Sequence, residues 1–226
     1  YSERDLTDVK VFDGGDLELP FGNPARVLQL TEEYTAQLLA DGKLPVMLGG
    51  EHLVTLGAVR AVHKVYPDLH VLHFDAHTDL RADYLGEILS HATVMRQVWQ
   101  LIGDGRLHQF GIRSGERDEF AFARAHTDLH PFTLADFAAV LPTLAGVPVY
   151  VSLDLDVLDP SIFCGTGTPE AGGVSFAELL GAILQLHKLR VVGCDINELS
   201  PHYDQSGTST AVACKLTREI LLQIVK

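Results

Sequence analysis

The sequence predicts an α/β fold, and two features point to it. Short apolar, β-branched runs, each too brief for a helix, alternate with longer stretches of helical pattern. The runs also lack the polar alternation of half-exposed strands, so each reads as a strand buried on both faces. Chains that alternate in this way build a mostly parallel sheet covered by helices on both sides. Composition agrees. With 46% hydrophobic and 21% charged residues in 226, the chain has the make-up of a folded protein. It carries no repeat, low-complexity tract or linker, so residues 1–226 read as one domain.

In chain order, the first strand is LPVMLGG (Leu44–Gly50), followed by a helix over Val54–Val65. HVLHFD (His70–Asp75) is the second strand, and a helix follows at Ala92–Ile102. LHQFGIR (Leu107–Arg113) is the third, with a helix at Arg117–Ala125. VPVYVSLDLD (Val147–Asp156) is the fourth, before a helix at Ser175–His187. LRVVGCDI (Leu189–Ile196) is the fifth, and Thr208–Val225 closes the chain as a helix.

Bulk properties exclude several functions. A formal charge of −13 leaves no basic stripe to neutralise phosphates, which excludes nucleic acid as a partner. No run of eighteen apolar residues is present, so no membrane span is expected. Cys164, Cys194 and Cys214 are sparse, odd in number and without a CxxC pair, which fits a reducing cytoplasm. The acidic balance is compatible with a cationic substrate or a bound metal.

Four strands end in polar residues: Gly49-Gly50-Glu51-His52, Asp75-Ala76-His77-Thr78-Asp79, Asp154-Leu155-Asp156 and Asp195-Ile196-Asn197-Glu198. Ligands of open parallel sheets bind beyond the carboxyl ends of the strands, so these ends are expected to converge. Together they offer His52, Asp75, His77, Asp79, Asp154 and Asp156 as metal donors. Two imidazoles and four carboxylates suit Mn²⁺ or a similar hard divalent ion. Four carboxylates packed together resist ionisation, and two divalent cations remove that difficulty.

GGEH (Gly49–His52), DAHTD (Asp75–Asp79) and SLDLDVLDP (Ser152–Pro160) resemble the signature motifs of the ureohydrolase (arginase/agmatinase) family. GTGTPEAGG (Gly165–Gly173) and DINELSP (Asp195–Pro201) continue the resemblance in order, essentially from end to end. It implies a three-layer αβα sandwich and hydrolysis of a small cationic guanidino substrate at two Mn²⁺ per chain. It further implies that His52 and Asp79 serve one ion, His77 and Asp156 the other, and Asp75 and Asp154 both. By the same resemblance His91 moves protons and Glu198 pairs with the substrate guanidinium. Asp159 is either a support behind the ligands or a turn former. A homo-oligomer, trimer or hexamer, is implied as well. The family match gives His73 no role, and it is assigned to packing, while the remaining histidines outside the motifs are assigned to packing or the surface.

The resemblance is to agmatinases in particular, which turn agmatine into putrescine and urea. Arginase and guanidinobutyrase are the alternatives, with a zinc deacetylase of related fold and a non-catalytic metal-binding relative behind them. The segment LRADYLGEILSHATVMR after DAHTD lacks the asparagine with which arginases meet the substrate carboxylate. Arg81 is the main residue there that could pair with such a carboxylate, unless Asp83, Glu87 or another acid holds it. Two departures stand out: Cys164 replaces a proline common in relatives, and the N-terminal strand and helix of full-length relatives would precede Tyr1.

Overall fold

The computed structural model describes residues 4–225, so Tyr1 lies outside the description. One six-stranded sheet contains β1 (Val46–Leu48), β2 (His70–Phe74), β3 (Leu107–Ile112), β4 (Asp128–Pro131), β5 (Pro148–Asp154) and β6 (Arg190–Asn197). Every pairing is parallel, in the order β1-β6-β5-β2-β3-β4. The helices are α1 (Pro24–Ala40), α2 (Val54–Val65), α3 (Val94–Ile102), α4 (Arg117–His126), α5 (Phe137–Val140), α6 (Phe176–Ile183) and α7 (Thr208–Ile224). None of them is long and apolar enough to cross a membrane.

The strands place alternate side chains on opposite faces, and a core forms on each. On one face Val71 of β2 joins Leu28, Val59, Met95 and Val98 of α1, α2 and α3. On the other, Leu72 and Phe74 join Phe137, Leu179, Leu216 and Ile220 of α5, α6 and α7. Burying each such side chain contributes about 1.5–3 kcal/mol, so both helical layers are held by apolar contact with the sheet. The result is the three-layer αβα sandwich.

Five strands lie where the sequence predicts them, with differences at their ends. The first is an edge strand of three residues whose Leu48 is 66% exposed, not a strand buried on both faces. The end of the fourth leaves the sheet, because Asp154 caps a 3₁₀ turn over Leu155–Val157. The helix expected over Ser175–His187 stops at Ile183, and Leu186–Lys188 form a separate 3₁₀ turn. Three elements were not anticipated, α1, β4 and the short α5. Asn23 starts α1 by accepting the Arg26 N–H at 3.1 Å, with Pro24 at the first helical position. A Cβ on Gly57 of α2 would fall 2.7 Å from the Leu28 carbonyl oxygen, so glycine lets α1 and α2 approach closely.

Chain order positions the site. From β2 the chain continues to β3 on one side, and from β5 to β6 on the other. The crevice between the carboxyl ends of β2 and β5 is therefore the switch point where ligands bind in such sheets. The four strands with polar ends are β1, β6, β5 and β2, which are contiguous in the sheet.

Candidate active site

Phe74 and Leu153 are register partners, so Asp75 and Asp154 leave neighbouring strands side by side. His52 arrives from β1 through a corner that needs Gly49, where a Cβ would fall 1.8 Å from Asn197 Oδ1. His52 Nδ1 then lies 3.2 Å from Asp75 Oδ2, 3.0 Å from Asp79 Oδ2 and 3.3 Å from Asp154 Oδ2. His77 Nδ1 lies 3.4 Å from Asp75 Oδ1 and 3.0 Å from Asp156 Oδ2. All six predicted donors thus come together, and Asp75 turns one oxygen to each imidazole.

The donor set fits a pair of cations. His52 Nδ1 is buried and has no hydrogen-bond partner among the described residues, although three carboxylate oxygens converge on it. That arrangement suits a shared metal ion better than a shared proton. Burial pushes the Asp154 carboxyl well above its usual range, and the charges of Asp156 and Asp75 push the same way. Burial, then Asp75, raises Asp79 and Asp156 too. Asp75 moves down: burial opposes its ionisation, but His73, His52 and His77 outweigh that. So crowded a set ionises fully only with positive charge beside it.

Backbone contacts aim these groups. Asp154 Oδ1 accepts the Asp156 N–H at 2.8 Å, and Asp156 Oδ1 accepts the Ala76 N–H at 3.0 Å. Asp79 and Glu198 hold positive φ angles of 54° and 65°. Non-glycine residues adopt that region at a cost, and here the strain falls on two residues facing one cleft.

An open cleft of about 270 Å³ lies over the donors, with His52 and His77 on its floor and Tyr84, His91, Thr168 and Glu198 around it. Glu198 Oε1 accepts the His52 backbone N–H at 2.7 Å. Burial raises the Glu198 carboxyl, partly offset by that hydrogen bond. His91 sits in the 3₁₀ turn that precedes α3. Its Nδ1 is 3.2 Å from Glu51 Oε1, which also accepts the His91 backbone N–H at 2.6 Å. Glu51 raises the His91 pKa, with burial opposing.

Arg81 Nη2 is 3.1 Å from Glu116 Oε1 and its Nε is 3.5 Å from Glu119 Oε2. The neighbouring acid that holds it therefore comes from the start of α4. Asp159 resolves as a turn former: Oδ1 accepts the Ser161 N–H and Oδ2 the N–H groups of Gly172 and Gly173.

One layer of the site was not anticipated. Gln109, His73, Ser152 and Asp195 are register partners on β3, β2, β5 and β6, forming a single polar rung across the sheet. All four are fully buried. His73 Nε2 lies 2.7 Å from Asp75 Oδ2, so His73 is more than the packing residue the sequence suggested. Ser152 Oγ lies 2.9 Å from His52 Nε2 and donates to Asp195 Oδ1 at 2.8 Å. The signal in the sequence was a polar residue a few positions before a strand end, inside runs otherwise apolar. Burying such a residue is costly unless it is hydrogen-bonded. Glu51 was passed over as well, because its carboxylate acts on a residue forty positions away.

A family model described as the Arginase family matches residues 1–223. The chain belongs to the arginase family. Within it, an agmatinase of Bacillus subtilis (strain 168) is 48% identical over 230 residues, covering 100% of this chain and 79% of its own length. A crystal structure from Clostridium difficile superimposes with a TM-score of 0.96 at 47% identity, covering 98% of this chain and 82% of that one. The agmatine ureohydrolase of Thermoplasma volcanium follows with a TM-score of 0.80 at 34% identity, covering 89% and 69%. Arginase-family members are metal-dependent ureohydrolases, and two His/Asp groups here could hold metal: His52, His73, Asp75 and Asp79, and Asp75, His77 and Asp156.

Proposed function

We propose that this protein hydrolyses agmatine to putrescine and urea with two manganese ions held by His52, Asp75, His77, Asp79, Asp154 and Asp156. The observation that carries the reading is that Asp75 is shared between two donor groups on the floor of the cleft that also holds Glu198 and His91. His52 and Asp79 serve one ion, His77 and Asp156 the other. Asp75, which reaches both imidazoles, would serve both ions. Asp154, whose Oδ1 accepts the Asp156 N–H, would also serve both. An oxygen-rich set with two imidazoles favours manganese. When bound, the two ions supply the positive charge the carboxylates need and activate a water for attack.

The chain's own groups do the rest. Glu198 pairs with the substrate guanidinium, and that cation favours the ionised carboxylate against the effect of burial. Hydrolysis adds water to the guanidinium carbon and breaks its bond to the alkyl nitrogen, which must leave carrying a proton. His91 is suited to deliver it: Glu51 occupies Nδ1, leaving Nε2 for transfer. At the other end of the substrate, agmatine carries no carboxylate. The Arg81 guanidinium is already met by Glu116 and Glu119, so an arginine carboxylate would find no free charge there. The 48% identity to a Bacillus agmatinase supports the same choice.

In this reading a single domain works in the cytoplasm as a homo-oligomer, a trimer or hexamer. Three free thiols and the exposed Phe12, Phe21 and Leu85 support it. The test is urea release by the manganese-loaded protein from agmatine, arginine and guanidinobutyrate. A preference for agmatine of about a hundredfold in kcat/KM is expected, which requires about 2.7 kcal/mol of transition-state energy. Arginine hydrolysed as well as agmatine overturns the substrate assignment.

A further inference from the structure

The half of the polar rung formed by Gln109 and His73 takes no part in the steps above, and its hydrogen bonds have a fixed direction. Gln109 Nε2 lies 3.1 Å from His73 Nδ1 and 2.9 Å from the Thr78 carbonyl oxygen. A carbonyl can only accept, so that end of the amide is its NH₂ group. The other end, Oε1, accepts the Thr127 hydroxyl at 3.1 Å. His73 Nδ1 is therefore an acceptor, the ring proton sits on Nε2, and it is donated to Asp75 Oδ2 at 2.7 Å. Asp75 Oδ1 accepts the His77 backbone N–H. Both oxygens of the carboxylate shared by the two donor groups are thus held, with the remaining lone pairs directed at the imidazoles of His52 and His77.

We propose that His73, oriented by Gln109, is a positioning residue that sets the Asp75 carboxylate for metal before the ions arrive. The inference rests on the reading of Asp75 as a ligand of both ions. Its physical basis is preorganisation. A carboxylate free to rotate must be ordered when metal binds, whereas this one is ordered by the fold, behind the site and away from water. His73 and Gln109 are completely buried, so neither gains from solvent and each depends on the other for satisfaction. A buried histidine in this rung would otherwise be a poor substitute for an apolar residue.

The test measures manganese affinity by chelator competition, with circular dichroism of the metal-free protein as the check on folding. Outer partners of metal ligands typically contribute about 10–100-fold in affinity, and His73→Met should weaken binding by that factor. His73→Gln keeps an N–H near the position of Nε2 and should recover most of the loss. Gln109→Met should weaken binding alone, yet add little on top of His73→Met, because it acts through the imidazole. Recovery by His73→Gln separates positioning of the carboxylate from a general loss of packing, which an amide would not restore. A folded His73→Met protein that binds both ions as tightly as the parent overturns the inference, as does His73→Gln binding as weakly as His73→Met. If His73→Met does not fold, Gln109→Met decides: unchanged affinity overturns the proposal and weakened affinity supports it. A parent protein that binds no manganese overturns the metal reading itself and this inference with it. A parent that binds two ions while the variants are unaffected overturns this inference alone.

Discussion

Replacing Asp75 with Asn should cost the protein both manganese ions, whereas Asp79→Asn should cost one. The difference follows from position: Asp75 reaches both imidazoles, at 3.2 and 3.4 Å, while Asp79 reaches only His52. At free manganese one hundred times its dissociation constant, each bound ion stabilises the fold by about 2.7 kcal/mol. For a chain of this size that corresponds to a rise in Tm of about 5–11 °C per ion. The parent should therefore show two such increments, Asp79→Asn one, and Asp75→Asn almost none. Metal-free melting temperatures are the wrong readout, because two effects oppose each other. Removing one carboxylate relieves repulsion among four, but an Asn amide turned toward His73 Nε2–H leaves a donor facing a donor, at a cost of about 1–3 kcal/mol. The assay is thermal melting with and without manganese, with bound metal counted by elemental analysis after desalting. An Asp75→Asn protein that keeps two ions and its rate refutes the shared role. Equal losses in the two variants would refute it too.

His91→Ala should lower kcat by about 10²–10⁴-fold with both ions retained; loss of a metal would show that its role is ligation. Glu51→Ala should give a smaller drop in kcat and none when added to His91→Ala, as a double-mutant cycle would reveal. Arg81→Ala should cost about 1 kcal/mol in denaturant unfolding, because Glu116 is exposed and the buried Glu119 keeps its hydrogen bonds to Thr78 and to backbone N–H groups. It should leave the agmatine-to-arginine ratio of kcat/KM unchanged; a marked change would make Arg81 a substrate contact. Gly57→Ala drives a methyl group to 2.7 Å from the Leu28 carbonyl and should destabilise by about 1–3 kcal/mol. An unchanged unfolding midpoint would mean that α1 can shift without penalty.

The parallel strands were legible because both of their faces are buried, so their apolar runs are continuous and their polar ends stand out. β4 was not, since DLHP is short and polar, lies at the sheet edge, and ends in a proline that a central strand would not tolerate. α1 was hidden because its buried face includes Thr31, packed where α2 has Gly57, and Thr35, which dilute the apolar stripe. The six candidate donors stood out because GGEH, DxHxD and DxD place them at the ends of strands that lie together in the sheet. Their supports did not. His73 and Gln109 meet across a strand pair, and Glu51 and His91 across a loop, and no local spacing reports either contact.

Sheet order also dictates when the site can come into being. Val46 of β1 pairs with Cys194 of β6, so among the described strands β1 has no neighbour until the last has been made. β2, β3 and β4 pair with their sequence neighbours early, and β5 then docks on β2. Asp75, His77 and Asp156 are assembled at that stage, while His52, carried by β1, must wait for β6. Closing so long a loop is slow, and it exposes an unpaired strand in the meantime. Metal capture is therefore predicted to be ordered in time, with the His77 side filling before the His52 side. Manganese added at increasing delays during refolding should register two binding phases, the slower one tracking the burial of β1.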